Sequence, residues 1–319
     1  MQSTQSSTSA QPVRNQSRGI INRGTQWVQD VCLINIVTSA ILSRHRHNPF
    51  IFDWSLIGKH STNFTSEYNY EDARCLLQLS MMVTNSNFTD IPLNVPNWLV
   101  DIPIVYETCP IKTIAEGISN SPLNKPTALV HILYSERGNL LLIVFTGTSN
   151  ACLATIDLNY YQTELEGINN YLPNVRGHQG VYIAYQSVRP KLLETVRKYI
   201  DRKPKIIITG HSLGGALSSL CTLDLAVLQP LHYSFAAPLI FNPKACDIFT
   251  QLVKNSYRIA NLSDLVVLSP LPIMPNKDAF CHVGRVVLFQ RNLGEYSDNH
   301  SLAYLLEYNI PYTELKSVS

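Results

Sequence analysis

The sequence predicts an α/β fold, a mostly parallel central sheet with helices on both faces. Three observations carry that prediction. Past about residue 180, helical and strand-like stretches alternate, the order that builds a parallel sheet. Pro204-Lys205-Ile206-Ile207-Ile208-Thr209, with three isoleucines in a row, reads as a short strand buried on both faces. The glycine-flanked turn Gly210-His211-Ser212-Leu213-Gly214 then joins that strand directly to an apolar helix. Of 319 residues, 45% are hydrophobic and only 15% charged, so the apolar surface suffices for one large core.

Taken in order, residues 1–25 are rich in Ser, Gln, Thr, Asn and Arg and contain little to bury, which predicts a disordered polar tail. Residues 26–64 form an N-terminal extension whose apolar run from Trp27 to Leu42 reads as a helix, packed on or beside the main domain or lying at a membrane surface. Asn35, Thr38 and Ser39 interrupt that run, and it is too short to cross a bilayer, which takes about 20 apolar residues. The main domain is assigned to 65–319. It opens with a helix from Tyr70 to Met82, with acids in its first turn, followed by loops and short strands over 91–127. Ala128–Tyr134 and Asn139–Phe145 read as a hairpin around Glu136-Arg137-Gly138. A helix over 182–201 precedes the isoleucine strand. A helix over 215–226 follows the turn, with Leu213, Leu217, Leu220 and Leu223 at helical spacing. A strand at 231–236, a helix near 246–254, and strands at 256–260 and 283–290 complete the alternation.

Composition removes several classes of function. A formal charge of +2 without a long Lys or Arg run excludes a nucleic-acid groove. The seven cysteines are scattered, with no C-x-x-C pair and no metal-ligand spacing, so reduced, mostly buried thiols and no metal are expected. No cofactor is expected either. The N-terminus shows no charged stretch leading into an apolar one, hence no signal peptide; an intracellular protein is expected, with association at a membrane surface the further option. Sequons at Asn63, Asn87, Asn261 and Asn299 are read as chance occurrences.

Between a buried strand and a helix, a sharp turn of the G-x-S-x-G type pushes its serine into an exposed, strained position, the arrangement a nucleophile needs. A serine hydroxyl alone is a poor nucleophile, so the chain must also supply a base and an acid that orients it. Where a strand–elbow–helix carries such a triad, acid and histidine follow the serine in that order on loops after later strands. Asp264 lies just past the strand ending Arg258-Ile259-Ala260-Asn261, with Asp247 and Asp278 as rivals. Of the nine histidines, only His282 and His300 lie beyond Asp264. His300 stands before the apolar helix Leu302–Glu307 on the sheet end that holds Ser212. His282 falls near the start of its strand, at the opposite sheet end or buried in the sheet.

Four blocks in order resemble the class 3, fungal-type lipases of the α/β-hydrolase fold, over about residues 65–310. They are Val144-Phe145-Thr146-Gly147-Thr148, Gly177-His178-Gln179-Gly180-Val181-Tyr182, Gly210-His211-Ser212-Leu213-Gly214-Gly215, and Asp298-Asn299-His300-Ser301-Leu302 with Tyr304. The resemblance implies an α/β-hydrolase with a Ser212-His300-Asp264 triad and an oxyanion hole from Leu213 and Thr148. It implies hydrolysis of lipid esters, of the triacylglycerol or monoacylglycerol kind, with transient contact at a membrane or lipid-droplet surface. A lid is implied at Ser149–Ile156, including Ala151, Leu153 and Ile156, where the family's usual Trp is missing. Leu271 and Ile273 of the proline-rich stretch 268–275 are candidates for the acyl pocket. Two departures stand out: Thr146 where the family usually has Arg, and Phe235-Ala236-Ala237-Pro238 where it usually has a Gly. Alternative readings are a lipase-like binding or signalling module, and a phospholipase or acyltransferase on the same fold.

Overall fold

The computed structural model describes residues 53–60, 64–85, 95–97, 99–105, 128–148, 161–168, 173–270, 279–294 and 296–301. Two helices come first, α1 (Ser55–His60) and α2 (Tyr70–Asn85), followed by strands β1 (Leu99–Val105), β2 (Ala128–Ser135) and β3 (Leu140–Phe145). After a short β4 (Gln162–Glu164) and β5 (Arg176–His178), strands and helices alternate: α3 (Gln179–Ile200), β6 (Lys205–His211), α4 (Leu213–Asp224), β7 (Leu231–Phe235), α5 (Pro243–Leu252), β8 (Ser256–Asn261) and β9 (Arg285–Phe289). The short helix α6 (Tyr296–Ser301) closes the described chain. The predicted N-terminal tail, the helix over Trp27–Leu42, the helix Leu302–Glu307 and the rival acid Asp278 lie outside the described residues.

Seven strands form one sheet in the order β1-β2-β3-β6-β7-β8-β9. The first two pairings are antiparallel, and every pairing from β3 onward is parallel. Alternation of side chains splits the core in two. On one face Leu141, Ile143, Phe145, Ile206 and Ile208 pack beneath α3, α4 and α5. On the other, Leu140, Leu142, Val144 and Ile207 meet the buried side of α2, with Ile57 of α1 and Phe64 in the same cluster. At 25 cal/mol per Å², each such large side chain contributes about 1.5–3 kcal/mol.

Two elements differ from expectation. The helix predicted at 182 starts at Gln179, because the His178 side chain accepts the Val181 N–H and caps it. The helix of the turn begins at Leu213, immediately after the serine, so the turn is tighter than its sequence suggested. In the stretch 91–127, read as loops and short strands, the strand β1 forms the sheet edge, and its Asp101 reaches across to the His131 Nδ1 at 3.0 Å, both side chains buried. At the other end of the core, His232 of β7 is fully buried between two helix-and-strand hydroxyls. Ser218 gives its proton to the Gly215 carbonyl and so accepts from His232 Nε2–H at 3.0 Å, leaving His232 Nδ1 to accept from Ser256 at 2.8 Å. Burial without an opposing charge pushes this imidazole down to about 3. Among the described residues, no helix is long and apolar enough to cross a membrane.

Candidate active site

The site is built at the carboxyl end of the parallel strands, where β6 breaks into α4. Ser212 sits at φ 60°, ψ −125°, a left-handed conformation that a non-glycine residue holds only when its surroundings enforce it. Two backbone bonds do so: the Ser212 N–H donates to the Phe235 carbonyl at 2.8 Å, and its carbonyl accepts from Ala216 N–H at 3.1 Å. The flanking glycines answer a packing demand. A Cβ on Gly210 would come 2.2 Å from the Gly214 carbonyl oxygen, and one on Gly214 would come 2.4 Å from the Phe145 oxygen. Strand and helix can therefore approach closely only without side chains there.

Three residues far apart in sequence converge on the serine hydroxyl. Ser212 Oγ lies 2.8 Å from His300 Nε2, and His300 Nδ1 lies 2.8 Å from Asp264 Oδ2. Since the carboxylate only accepts, Nδ1 carries the proton and Nε2 is left to accept from the serine. All three side chains are buried or nearly so. The second Asp264 oxygen accepts from the Val266 N–H at 2.9 Å, which fixes the carboxylate plane. Asp264 follows β8 on a loop, as expected; His300 lies within α6 rather than ahead of a helix.

The reason is a set of tertiary bonds that shape the last turn. Asn261, which ends β8, is fully buried and uses both ends of its amide. Its Nδ2 donates to the carbonyls of Arg291 (2.8 Å) and Asn299 (3.2 Å), while its Oδ1 accepts from the N–H groups of Arg291 (3.0 Å) and Ser263 (3.2 Å). Asn299 in turn accepts from Leu293 N–H at 2.8 Å. From the other side, His211 Nε2–H donates to the His300 carbonyl at 2.8 Å, its ring 4.8 Å from that of His300. Asn261 and Asn299 are thus consumed by the fold, which leaves no room for a glycan at either sequon. Neither Asn261 nor His211 was singled out from sequence as a residue of the site. The available signal was an amide closing a strand three residues before an acid.

The other predicted residues are distributed as follows. Leu213 opens α4, where the N–H groups of the first turn have no carbonyl behind them within the helix, and the serine side chain does not cap them. Thr148 is buried three residues beyond β3, whose Phe145 pairs with Gly210 of β6, so Thr148 runs alongside the elbow. His282 is not in this chain of bonds. Its Nε2 donates to the Val267 carbonyl at 2.7 Å, and burial, then nearby Arg258, pushes it down to about 4. Asp247 lies on α5. Ala151, Leu153 and Ile156 of the expected lid, and Leu271 and Ile273 of the expected pocket, lie outside the described residues. Among the described residues no group of three or more His, Cys, Asp or Glu side chains is arranged to hold a metal ion.

The two departures from the family pattern have local explanations. Thr146 donates to the Ala128 carbonyl at 2.7 Å and ties the end of β3 to β2. Ala236 has φ 50°, the left-handed region a glycine enters without cost, so the usual Gly has a backbone reason and Ala bears about 1 kcal/mol of strain.

The sequence profile described as Lipase (class 3) matches residues 142–274, a span that runs from β3 through the elbow to the loop after Asp264. Over that span the chain is similar to the class 3 lipases. A lipase of Rhizopus niveus is 30% identical over 125 residues, 38% of this chain and 28% of that protein. A lipase of Rhizomucor miehei is 33% identical over 87 residues, 27% of this chain and 23% of that one. The chain thus aligns with only about a quarter of the length of these relatives. Among solved structures, the nonglycosylated LIP2 lipase of Yarrowia lipolytica superposes with a TM-score of 0.51 at 18% identity, covering 69% of this chain and 78% of that one. That likeness, with the parallel sheet and its flanking helices, makes the fold an α/β-hydrolase.

Proposed function

We propose that this protein is a serine carboxylic-ester hydrolase acting on lipid esters. The observation that carries the reading is the unbroken line Asp264–His300–Ser212, two bonds of 2.8 Å ending on a serine held in a strained elbow. In this reading His300 Nε2 takes the Ser212 proton as Oγ attacks the ester carbonyl. The alcohol leaves with that proton, and water, deprotonated in turn by His300, releases the acid. Asp264 keeps the imidazole in the tautomer that can accept, and stabilises the imidazolium. The N–H groups of Leu213 and Thr148 stabilise the oxyanion; loss of one such donor typically costs about 3 kcal/mol of transition-state stabilisation.

Lipid esters, rather than small soluble ones, are favoured by the apolar rim of the acid loop. Leu262, Leu265 and Leu268 recur at three-residue spacing around Asp264 and remain 43%, 43% and 44% exposed. Leucines left in water beside a reactive site suit transient contact with a lipid surface. The experiment is a series of glycerol and p-nitrophenyl esters of rising acyl length, each with and without a lipid interface, on wild-type protein and Ser212→Ala. Turnover that lengthens with the acyl chain, rises at the interface and disappears in Ser212→Ala is expected. Preference for acetate with no interfacial gain would remove the lipid assignment, and full activity in Ser212→Ala would remove the serine mechanism.

A further inference from the structure

We propose that Thr84, on the helix that covers the opposite face of the sheet from the elbow helix, is a positioning residue for the oxyanion-binding backbone at Gly147-Thr148. The inference rests on the serine-hydrolase reading and adds to it a part that no sequence motif marks. Thr84 lies in the last turn of α2, and its hydroxyl is fully oriented. It gives its proton to the Ser80 carbonyl at 2.7 Å, so its oxygen faces outward as an acceptor, and there it receives the Gly147 N–H at 2.9 Å.

Gly147 needs such a fixture. Lacking a Cβ, it can rotate freely about both backbone bonds, and it separates the end of β3 from the peptide that carries the Thr148 N–H. It is instead held between two walls. A Cβ built on Gly147 would lie 2.8 Å from the His211 carbonyl oxygen on the elbow side, and 3.2 Å from both Cγ2 and Oγ1 of Thr84 on the other. The first wall belongs to the residue before the nucleophile. The second belongs to α2, which is itself registered on the sheet: the Ser80 hydroxyl donates to the Leu76 carbonyl and lies 3.4 Å from Thr209 Oγ1 of β6. A single hydroxyl thus links a helix on the far face of the sheet to the peptide next to the oxyanion donor. Preorganised donors act only when they are already aimed at the developing charge, and a displacement of about 1 Å costs on the order of 100-fold in rate.

The test compares Thr84→Val, which keeps shape and removes the acceptor, with Thr84→Ser, which keeps the acceptor, and with Cys75→Ala, a buried position elsewhere on α2, as a control for α2 packing. Each is assayed for kcat and KM on p-nitrophenyl butyrate, at a temperature where circular dichroism shows the variant folded. Amide hydrogen exchange of the peptide spanning Gly147 and Thr148 is followed in parallel. Thr84→Val is expected to lower kcat about tenfold with KM within about twofold, and to speed exchange at Gly147-Thr148. Thr84→Ser should restore kcat to within about twofold, and Cys75→Ala should leave it there. A folded Thr84→Val with wild-type kcat, or Thr84→Ser as impaired as Thr84→Val, would overturn the inference while leaving the hydrolase reading intact. Absence of Ser212-dependent turnover in the wild-type protein would overturn both.

Discussion

Asn261→Leu should damage stability and catalysis together, because one buried amide joins the acid loop to the histidine turn. The substitution preserves volume but removes four hydrogen bonds, two donated to the carbonyls of Arg291 and Asn299 and two accepted from Arg291 and Ser263. At about 1 kcal/mol net for each bond, with the Asn299 carbonyl left buried and unpaired, the expected loss of unfolding free energy is about 5 kcal/mol. The Asn299 carbonyl is one residue from His300, so the imidazole loses its registration against Asp264 and Ser212. A shift of about 1 Å there corresponds to a fall in kcat on the order of 100-fold. Urea unfolding monitored by circular dichroism gives the first number, and turnover of p-nitrophenyl butyrate well below the unfolding midpoint gives the second. Asn261→Asp sharpens the comparison, since it keeps volume and acceptor but turns a carboxylate oxygen toward two carbonyls, and it should rescue neither quantity. An Asn261→Leu protein within about 1 kcal/mol of wild type, or folded with undiminished kcat, would refute the clamp.

His232 supplies a pH prediction. Its imidazole is held neutral by burial, at about 3 against the ordinary 6.5, so its contribution to stability is complete above pH 6.5 and is lost progressively as pH falls toward 3. The loss amounts to about 2 kcal/mol at pH 5; His232→Gln should flatten the acid limb of the unfolding curve by about that much, and an unchanged limb would contradict it. Gly210→Ala should abolish turnover, since its Cβ would lie 2.2 Å from the Gly214 oxygen and force strand and helix apart at the elbow. Activity within about tenfold of wild type would show that the elbow yields more than close packing permits.

Much of this was legible in the sequence because the signals were local. Ile206, Ile207 and Ile208 marked a strand buried on both faces, Gly210 and Gly214 marked a close approach, and the order Ser212, Asp264, His300 followed from where loops leave a parallel sheet. What escaped depended on partners remote in the chain. The first turn of α3 came from the His178 cap, and the place of His300 is fixed by Asn261 and His211, which hold the Asn299 and His300 carbonyls. Thr84 carried no signal, because a threonine near the end of a helix has many uses and its acceptor role exists only once α2 lies on the sheet. The strand β1 was expected only as one of the short strands of 91–127, because a proline such as Pro103 reads as a loop signal anywhere but at a sheet edge.

The central claim is that Ser212 is made nucleophilic by His300 and Asp264. Labelling of the native protein with a fluorophosphonate, followed by peptide mass mapping, tests it directly. The account predicts a single adduct on Ser212, formed rapidly in the wild-type protein and slowed by a factor on the order of 10³ or more in folded His300→Ala. An unlabelled native protein, or an adduct on Ser212 that forms equally fast without His300, would contradict it.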